Sequence, residues 1–164
     1  MLVVCPHCNA ANRVPPDRAS DDPVCGKCGA AILGGAPIAL DEARFDRFVA
    51  RSDLPVVVDF WASWCAPCRQ EEGPLKAAAQ RLQGRVAFLG VDFRDSPAAA
   101  RATQDRAQYP YPVGPAADGV SALYGVTAPP ETFFLDGRGL VLARFVGPLD
   151  TSLIDRYLQL VGVG

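Results

Sequence analysis

Val56-Val57-Val58-Asp59-Phe60-Trp61-Ala62-Ser63-Trp64-Cys65-Ala66-Pro67-Cys68 is the stretch that decides how this chain reads. Its first six residues are β-branched or aromatic except for one acid, the composition of a strand buried on both faces of a sheet. The residues after Cys65 are charged and helix-compatible, and Pro67 suits a first helical turn, where its missing N–H costs nothing. Two thiols therefore lie on one turn of helix at a strand's exit. The unpaired N–H groups and positive dipole end of such a helix favour thiolate over thiol at Cys65. Cys65 is the expected nucleophile, able to attack a disulfide in another protein, and Cys68, expected to be the more buried, resolves the mixed disulfide. Trp64 offers a flat apolar surface beside the reactive sulfur. A structural disulfide or half of a metal site would explain the spacing, but not strand, tryptophan and helix together.

Asp59 is the anomaly in that strand. Desolvation raises the pKa of a buried carboxyl, and near the thiol pair it is placed to take the proton of Cys68 as that thiol attacks. The plain alternative is a carboxylate at a strand edge, reaching water.

A second cysteine pattern lies at the amino end. Cys5-Pro6-His7-Cys8 and Cys25-Gly26-Lys27-Cys28 are two knuckles separated by sixteen residues, within the range of tetrathiolate zinc sites. The residues between them are turn-rich and nearly devoid of apolar side chains, so bound Zn²⁺ is expected to supply the stability of this segment. Two further redox pairs or two disulfides are the competing reading, and neither pair has the strand, tryptophan and helix that surround Cys65. His7, the single histidine, is an alternative ligand that four sulfurs make unnecessary.

The six cysteines thus divide into four for metal and two for redox chemistry, a usage suited to a reducing compartment. Met1-Leu2-Val3-Val4-Cys5 has neither the basic region nor the apolar segment of a signal peptide, and no run approaches the length of a membrane span. A cytoplasmic location without membrane contact is expected. The formal charge of −2 argues against a nucleic-acid surface.

Composition divides the chain into a zinc ribbon over 1–33, a linker over 34–40 and a single domain over 41–164. In that domain an amphipathic helix over 41–50 buries Phe45, Phe48 and Val49. The central strand follows at 55–61, then a helix over 65–83 that Gly73-Pro74 is expected to interrupt. Gln70-Glu71-Glu72-Gly73 reads as a solvated charged face. A strand over 86–92, a helix opened by Ser96-Pro97, a hairpin over 132–146 turning at Asp136-Gly137 and a closing helix over 151–161 complete it. The class is α/β, a mixed sheet flanked by helices.

The segment 56–68 resembles the active site of the thioredoxin family, and the similarity extends over most of 36–164. The resemblance implies a thioredoxin fold in which Cys65 attacks, Cys68 resolves and Asp59 assists. It also implies a cis-proline loop facing the pair, supplied by Ala128-Pro129-Pro130-Glu131-Thr132. By the pattern of cytochrome c biogenesis members Pro130 is the cis residue, with Ala128-Pro129 as the alternative bond. That branch is also resembled by the long stretch between 92 and the proline loop, which looks like an inserted strand and helix. The front of the chain resembles bacterial thioredoxins that carry a zinc ribbon.

Several side chains follow from the same comparison. Trp64, Pro67, Pro129, Pro130 and Glu131 are the expected substrate-binding residues. Pro129 has no N–H to offer an extended substrate, and Glu131 either lies near the dithiol or is a solvated residue at a strand's start. Gly90 stands where many members have a lysine near the buried aspartate.

The resemblance implies a cytoplasmic protein-disulfide reductase without organic cofactor, recharged by an NADPH-dependent thioredoxin reductase and acting on disulfide-containing proteins. A narrow-specificity partner of the cytochrome c biogenesis type is the alternative. A thiol peroxidase, whose reactive cysteine stands alone, and a non-enzymatic ribbon module fit the paired thiols less well.

Overall fold

A computed structural model describes residues 1–34, 38, 41–115 and 118–164. At its centre is a five-stranded mixed sheet in the order β5-β4-β3-β6-β7. It is built from β3 (Val56–Trp61), β4 (Ala87–Asp92), β5 (Val113–Pro115), β6 (Glu131–Leu135) and β7 (Val141–Val146). β3, β4 and β5 run parallel, and β6 and β7 are antiparallel additions. Every residue of β3, β4 and β6 is buried, as the sequence of β3 requires of a strand covered on both faces.

Strand alternation sorts the side chains into two layers. Val56, Val58 and Phe60 face α1 (Glu42–Arg51) and α4 (Asp118–Leu123), where Tyr124 packs edge-on against Phe45 and Phe133. Val57, Asp59 and Trp61 face α2 (Ala66–Arg81) and α5 (Thr151–Leu160), with Phe134 of β6 stacked on Tyr157 at 5.0 Å. α3 (Pro97–Ala107), capped by the Ser96 hydroxyl, precedes β5, and β5 with α4 forms the strand and helix expected between β4 and the proline loop. The hairpin turn is longer than the two residues expected. It spans 136–140, closed by Asp136 N–H to Leu140 O and by the Asp136 carboxylate accepting from the N–H groups of Arg138 and Leu140.

α2 is one helix from Ala66 to Arg81, with Pro74 inside it, so Gly73-Pro74 does not interrupt it. Gly73 carries no Cβ to meet the proline ring, which removes the clash that drives most residues before proline out of helical geometry.

At the amino end β1 (Leu2–Val4) pairs antiparallel with β2 (Ala11–Arg13). The two knuckles fold alike. In each, the first cysteine's N–H reaches the carbonyl five residues on, and its carbonyl accepts from the residue four on, Asn9 or Gly29. Both of those residues are left-handed, φ 60° and 74°, a conformation that asparagine and glycine tolerate best. Asn12 joins the knuckles, its amide donating to Ala10 O and accepting from Gly26 N–H.

This small unit is packed onto the sheet domain. Val3, Val4, Cys5, Val14, Ala19, Cys25 and Ile32 share one apolar cluster with Phe45, Phe48 and Leu54. Asp53 N–H donates to Leu2 O, and the buried Ser52 hydroxyl accepts from Val4 N–H. Gly84 lies so close to Ala19 that a Cβ there would sit 2.5 Å from its backbone. All these contacts are at the end of the sheet where β3 begins. The dithiol follows the other end, about 20 Å of strand away. Of the expected linker 34–40, residues 35–37, 39 and 40 lie outside the described residues. Ile38 is buried and donates its N–H to Val113 O.

Candidate active site and metal centre

At the exit of β3 the chain makes a turn over residues 62–65, closed by Cys65 N–H to Ala62 O, and enters α2. Cys65 is the N-cap of that helix, its Sγ accepting from Cys68 N–H at 3.2 Å, and Ala66 and Pro67 open the first turn. Cys65 and Cys68 are joined by a disulfide. The expected contrast in their burial is absent, since they are 3% and 6% exposed. In the bonded pair the two sulfurs shield each other. Trp64, 57% exposed, is the large apolar side chain flanking them.

The peptide bond between Pro129 and Pro130 is cis, the bond the biogenesis pattern implies. Continuing the β3–β6 register sets Pro130 opposite Trp61, at the end of β3 from which the dithiol turn departs. Glu131 goes elsewhere. It shares the face of Phe133 and Leu135, opposite to Asp59, and is 2% exposed in an ion pair with Arg144, Nη2 to Oε2 2.6 Å. It is thus neither beside the dithiol nor solvated, because strand alternation directs it to the other layer and Arg144 neutralises it there.

Asp59, 4% exposed, accepts from the Thr132 hydroxyl at 3.3 Å. The group that faces it from α2 is Glu71, itself 1% exposed and accepting Leu149 N–H at 2.9 Å. Burial pushes Asp59 up to about 7. Burial and then the charge of Asp59 push Glu71 up to about 9. Two carboxyls in one dry space cannot both ionise cheaply, so the pair retains a proton at neutral pH. A lysine at Gly90 would have to push neighbours aside, since a Cβ there would lie 2.9 Å from Val113 and 3.2 Å from the indole nitrogen of Trp61.

Glu71 is a functional candidate that the local sequence disguised as part of a charge run. The signal was its period. Cys68, Glu71, Leu75, Ala78, Ala79 and Leu82 recur at helical spacing and are all buried. Asp92 and Asp95, at the exit of β4, carry no local sequence signal of a role at the site. Asp95 binds the active-site turn through Ser63, and Asp92 is buried beside it.

The four ribbon cysteines converge, their Sγ atoms all within 4.8 Å of one another. Cys5 to Cys28 is 3.7 Å and Cys8 to Cys25 is 3.6 Å. A tetrahedral zinc with Zn–S bonds of about 2.3 Å sets its sulfurs about 3.8 Å apart. The donor set therefore fits Zn²⁺, with His7 not required.

Two sequence families match the chain, one described as Thioredoxin over residues 36–110 and one described as Thioredoxin 2, N-terminal, over residues 4–30. Thioredoxin C-3 of Corynebacterium nephridii is 38% identical over 159 residues, which cover 97% of this chain and 94% of that protein. A thiol:disulfide interchange protein DsbE homolog of Paracoccus denitrificans is 44% identical over 145 residues, covering 76% of this chain and 78% of that one. Among solved structures, a thioredoxin family thiol:disulfide interchange protein from Chlorobium tepidum superposes with a TM-score of 0.63 at 21% identity, over 71% of this chain and 83% of its own, a likeness of fold. With near full-length kinship and a disulfide-linked cysteine pair at the exit of its central strand, the chain belongs to the thioredoxin family, as a thiol–disulfide oxidoreductase with an N-terminal zinc ribbon.

Proposed function

We propose that this protein is a cytoplasmic protein-disulfide reductase in which Cys65 attacks and Cys68 resolves. The observation that carries the reading is the place of Cys65 as N-cap of α2, where Cys68 N–H points at its sulfur. In the reduced protein that N–H and the helix dipole stabilise negative charge on Cys65. The thiolate attacks one sulfur of a substrate disulfide, and the other sulfur leaves as a thiolate. Cys68 then loses its proton to the Asp59–Glu71 pair and attacks Cys65 Sγ. The Cys65–Cys68 bond forms, the mixed disulfide breaks, and the substrate has gained two electrons. Restoring the dithiol requires an equal supply, for which an NADPH-dependent thioredoxin reductase is the proposed donor. Trp64, Pro67 and the Pro129-Pro130 loop are the proposed contacts for substrate.

Four sulfurs placed for zinc support the location, because thiols stay free for metal in a reducing compartment. The zinc is proposed as structural, one ion per chain held by Cys5, Cys8, Cys25 and Cys28. Among the described residues no helix is long and apolar enough to cross a membrane. A second reading, a narrow-specificity thiol–disulfide partner of the cytochrome c biogenesis type, is favoured by Pro129. It cannot donate a backbone hydrogen bond to an extended substrate, a loss of about 1 kcal/mol.

Reduction of insulin disulfides, with the dithiol regenerated chemically, tests the main reading. Cys65→Ser is expected to abolish turnover, whereas Cys68→Ser retains one attack and accumulates a mixed disulfide visible by mass. Wild-type turnover no faster than the free reductant favours the second reading, and trapping through Cys68 rather than Cys65 reverses the assignment.

The carboxyl pair predicts a pH dependence. Both groups titrate near 4 in the unfolded chain and higher in the folded one, so folding favours their protonated forms. Their contribution to stability is fully present below about pH 4 and is lost as pH rises through 7 toward 9. Urea unfolding of the oxidised protein should therefore show a decline between pH 5 and 9 that Asp59→Asn flattens. The same substitution should slow resolution of the mixed disulfide by on the order of tenfold or more. An unchanged stability profile together with an unchanged resolving rate contradicts the assignment.

Chelation should remove one zinc per chain and lower the unfolding midpoint of the whole molecule, since ribbon and sheet domain share a core. A midpoint unaffected by metal removal contradicts a structural role.

A further inference from the structure

The turn that delivers Cys65 to α2 is gripped from a neighbouring connection. Asp95, between β4 and α3, accepts the Ser63 backbone N–H on Oδ2 at 2.6 Å and the Ser63 hydroxyl on Oδ1 at 2.8 Å. The same Oδ1 accepts Ser96 N–H at 3.0 Å, and the Ser96 hydroxyl caps α3 by accepting Ala99 N–H. One carboxylate therefore ties the starts of two helices. Its own backing is fixed. Phe93 N–H donates to Trp61 O at 2.8 Å, and the adjoining Arg94 is left-handed, φ 50°. Asp92, 3% exposed, lies behind Asp95 and has an Oδ1 without a hydrogen-bond partner among the described residues. Burial and then the charge of Asp95 push Asp92 up to about 7, which favours a protonated carboxyl set against the gripping carboxylate.

We propose that Asp95 is a positioning residue for dithiol exchange, its two-point grip on Ser63 holding the 62–65 turn in place when the Cys65–Cys68 bond is open. In the disulfide form a covalent bond already pins the end of the turn to α2, so the grip is partly redundant. In the dithiol form the turn depends on Asp95 and on the N-cap contact of Cys65. Losing the grip thus costs the dithiol form more than the disulfide form, and that difference displaces the redox equilibrium toward disulfide. The charge of Asp95 acts in the opposite sense, because removing a carboxylate near a thiolate favours the thiolate. Grip and charge are therefore distinguishable by the sign of the shift.

The proposal rests on Cys65 and Cys68 being the exchanging pair, and it holds whichever of them attacks. The test equilibrates wild type, Ser63→Ala, Asp95→Asn and the double variant with glutathione. The protein dithiol and one glutathione disulfide exchange with the protein disulfide and two glutathione thiols, and the thiol fraction is read by alkylation and mass. Urea unfolding of both redox forms is measured in parallel. Each single variant is expected to shift the equilibrium toward disulfide by up to about tenfold, equivalent to a potential about 30 mV lower. The double variant should go no further than the larger single, and the dithiol form should lose more stability than the disulfide form.

Equal stability losses in both forms with an unmoved equilibrium overturn the proposal, leaving Asp95 a structural residue. A shift toward dithiol in Asp95→Asn with none in Ser63→Ala overturns it in favour of charge, and additive shifts overturn the shared grip. A wild-type pair that does not exchange with glutathione overturns the underlying redox reading, and the proposal with it.

Discussion

The junction at which β3 ends and α2 begins governs the rest of the molecule. A parallel strand must be covered on both faces, so the chain leaving it can turn only at its end, and there a helix start exposes N–H groups with no intrahelical partner. Cys65 occupies that position as N-cap. The same helix, continued through Pro74, lays Cys68, Glu71 and Leu75 along the sheet face that also carries Asp59 and Trp61. The redox pair and the buried carboxyls are thus consequences of one strand–helix crossing. The antiparallel pairing of β6 with β3 adds the proline loop at the same end.

The two sulfur centres stand at opposite ends of β3. The ribbon engages the Asp53 N–H, the Ser52 hydroxyl and apolar side chains where β3 begins, and the dithiol lies beyond where it ends. With a length of strand between them, the ribbon neither lines the dithiol nor supplies a thiol to it. Its residues instead extend the apolar layer under α1, and so short a segment has little core of its own, which is why zinc is proposed to hold its knuckles.

Features with a covalent or periodic signature were legible in the sequence. The apolar run from Val56 to Trp61, interrupted only by Asp59, placed the central strand, and the acid within it stood out by its chemistry. The cysteine spacings separated the four clustered thiols from the bonded pair, and the insertion after residue 92 announced β5 and α4. What escaped were properties set by the third dimension. Glu71 sits in a run of charges, and only its register with Cys68 and Leu75 shows that it points inward. Glu131 adjoins the proline loop in sequence, yet strand alternation and Arg144 take it to the other layer. Gly73-Pro74 was legible as a breaker in isolation, but glycine before proline lets the helix continue. Asp95 reaches Ser63 only because β3 and β4 end side by side, a contact across 32 residues that no local pattern encodes. The docking of the ribbon escaped for the same reason, since a linker read from composition describes the covalent path and not the packing.

The claim on which the account turns is that a helix start holds charge on the sulfur of Cys65. Its most direct test is the rate of carboxymethylation of Cys65 in the fully reduced protein at pH 7, resolved from Cys68 and from the four ribbon thiols by peptide mass, beside free cysteine under the same conditions. Cys65 is expected to react several-fold faster than free cysteine, and far faster than Cys68, because more of it is thiolate at that pH. A rate at or below that of free cysteine contradicts it.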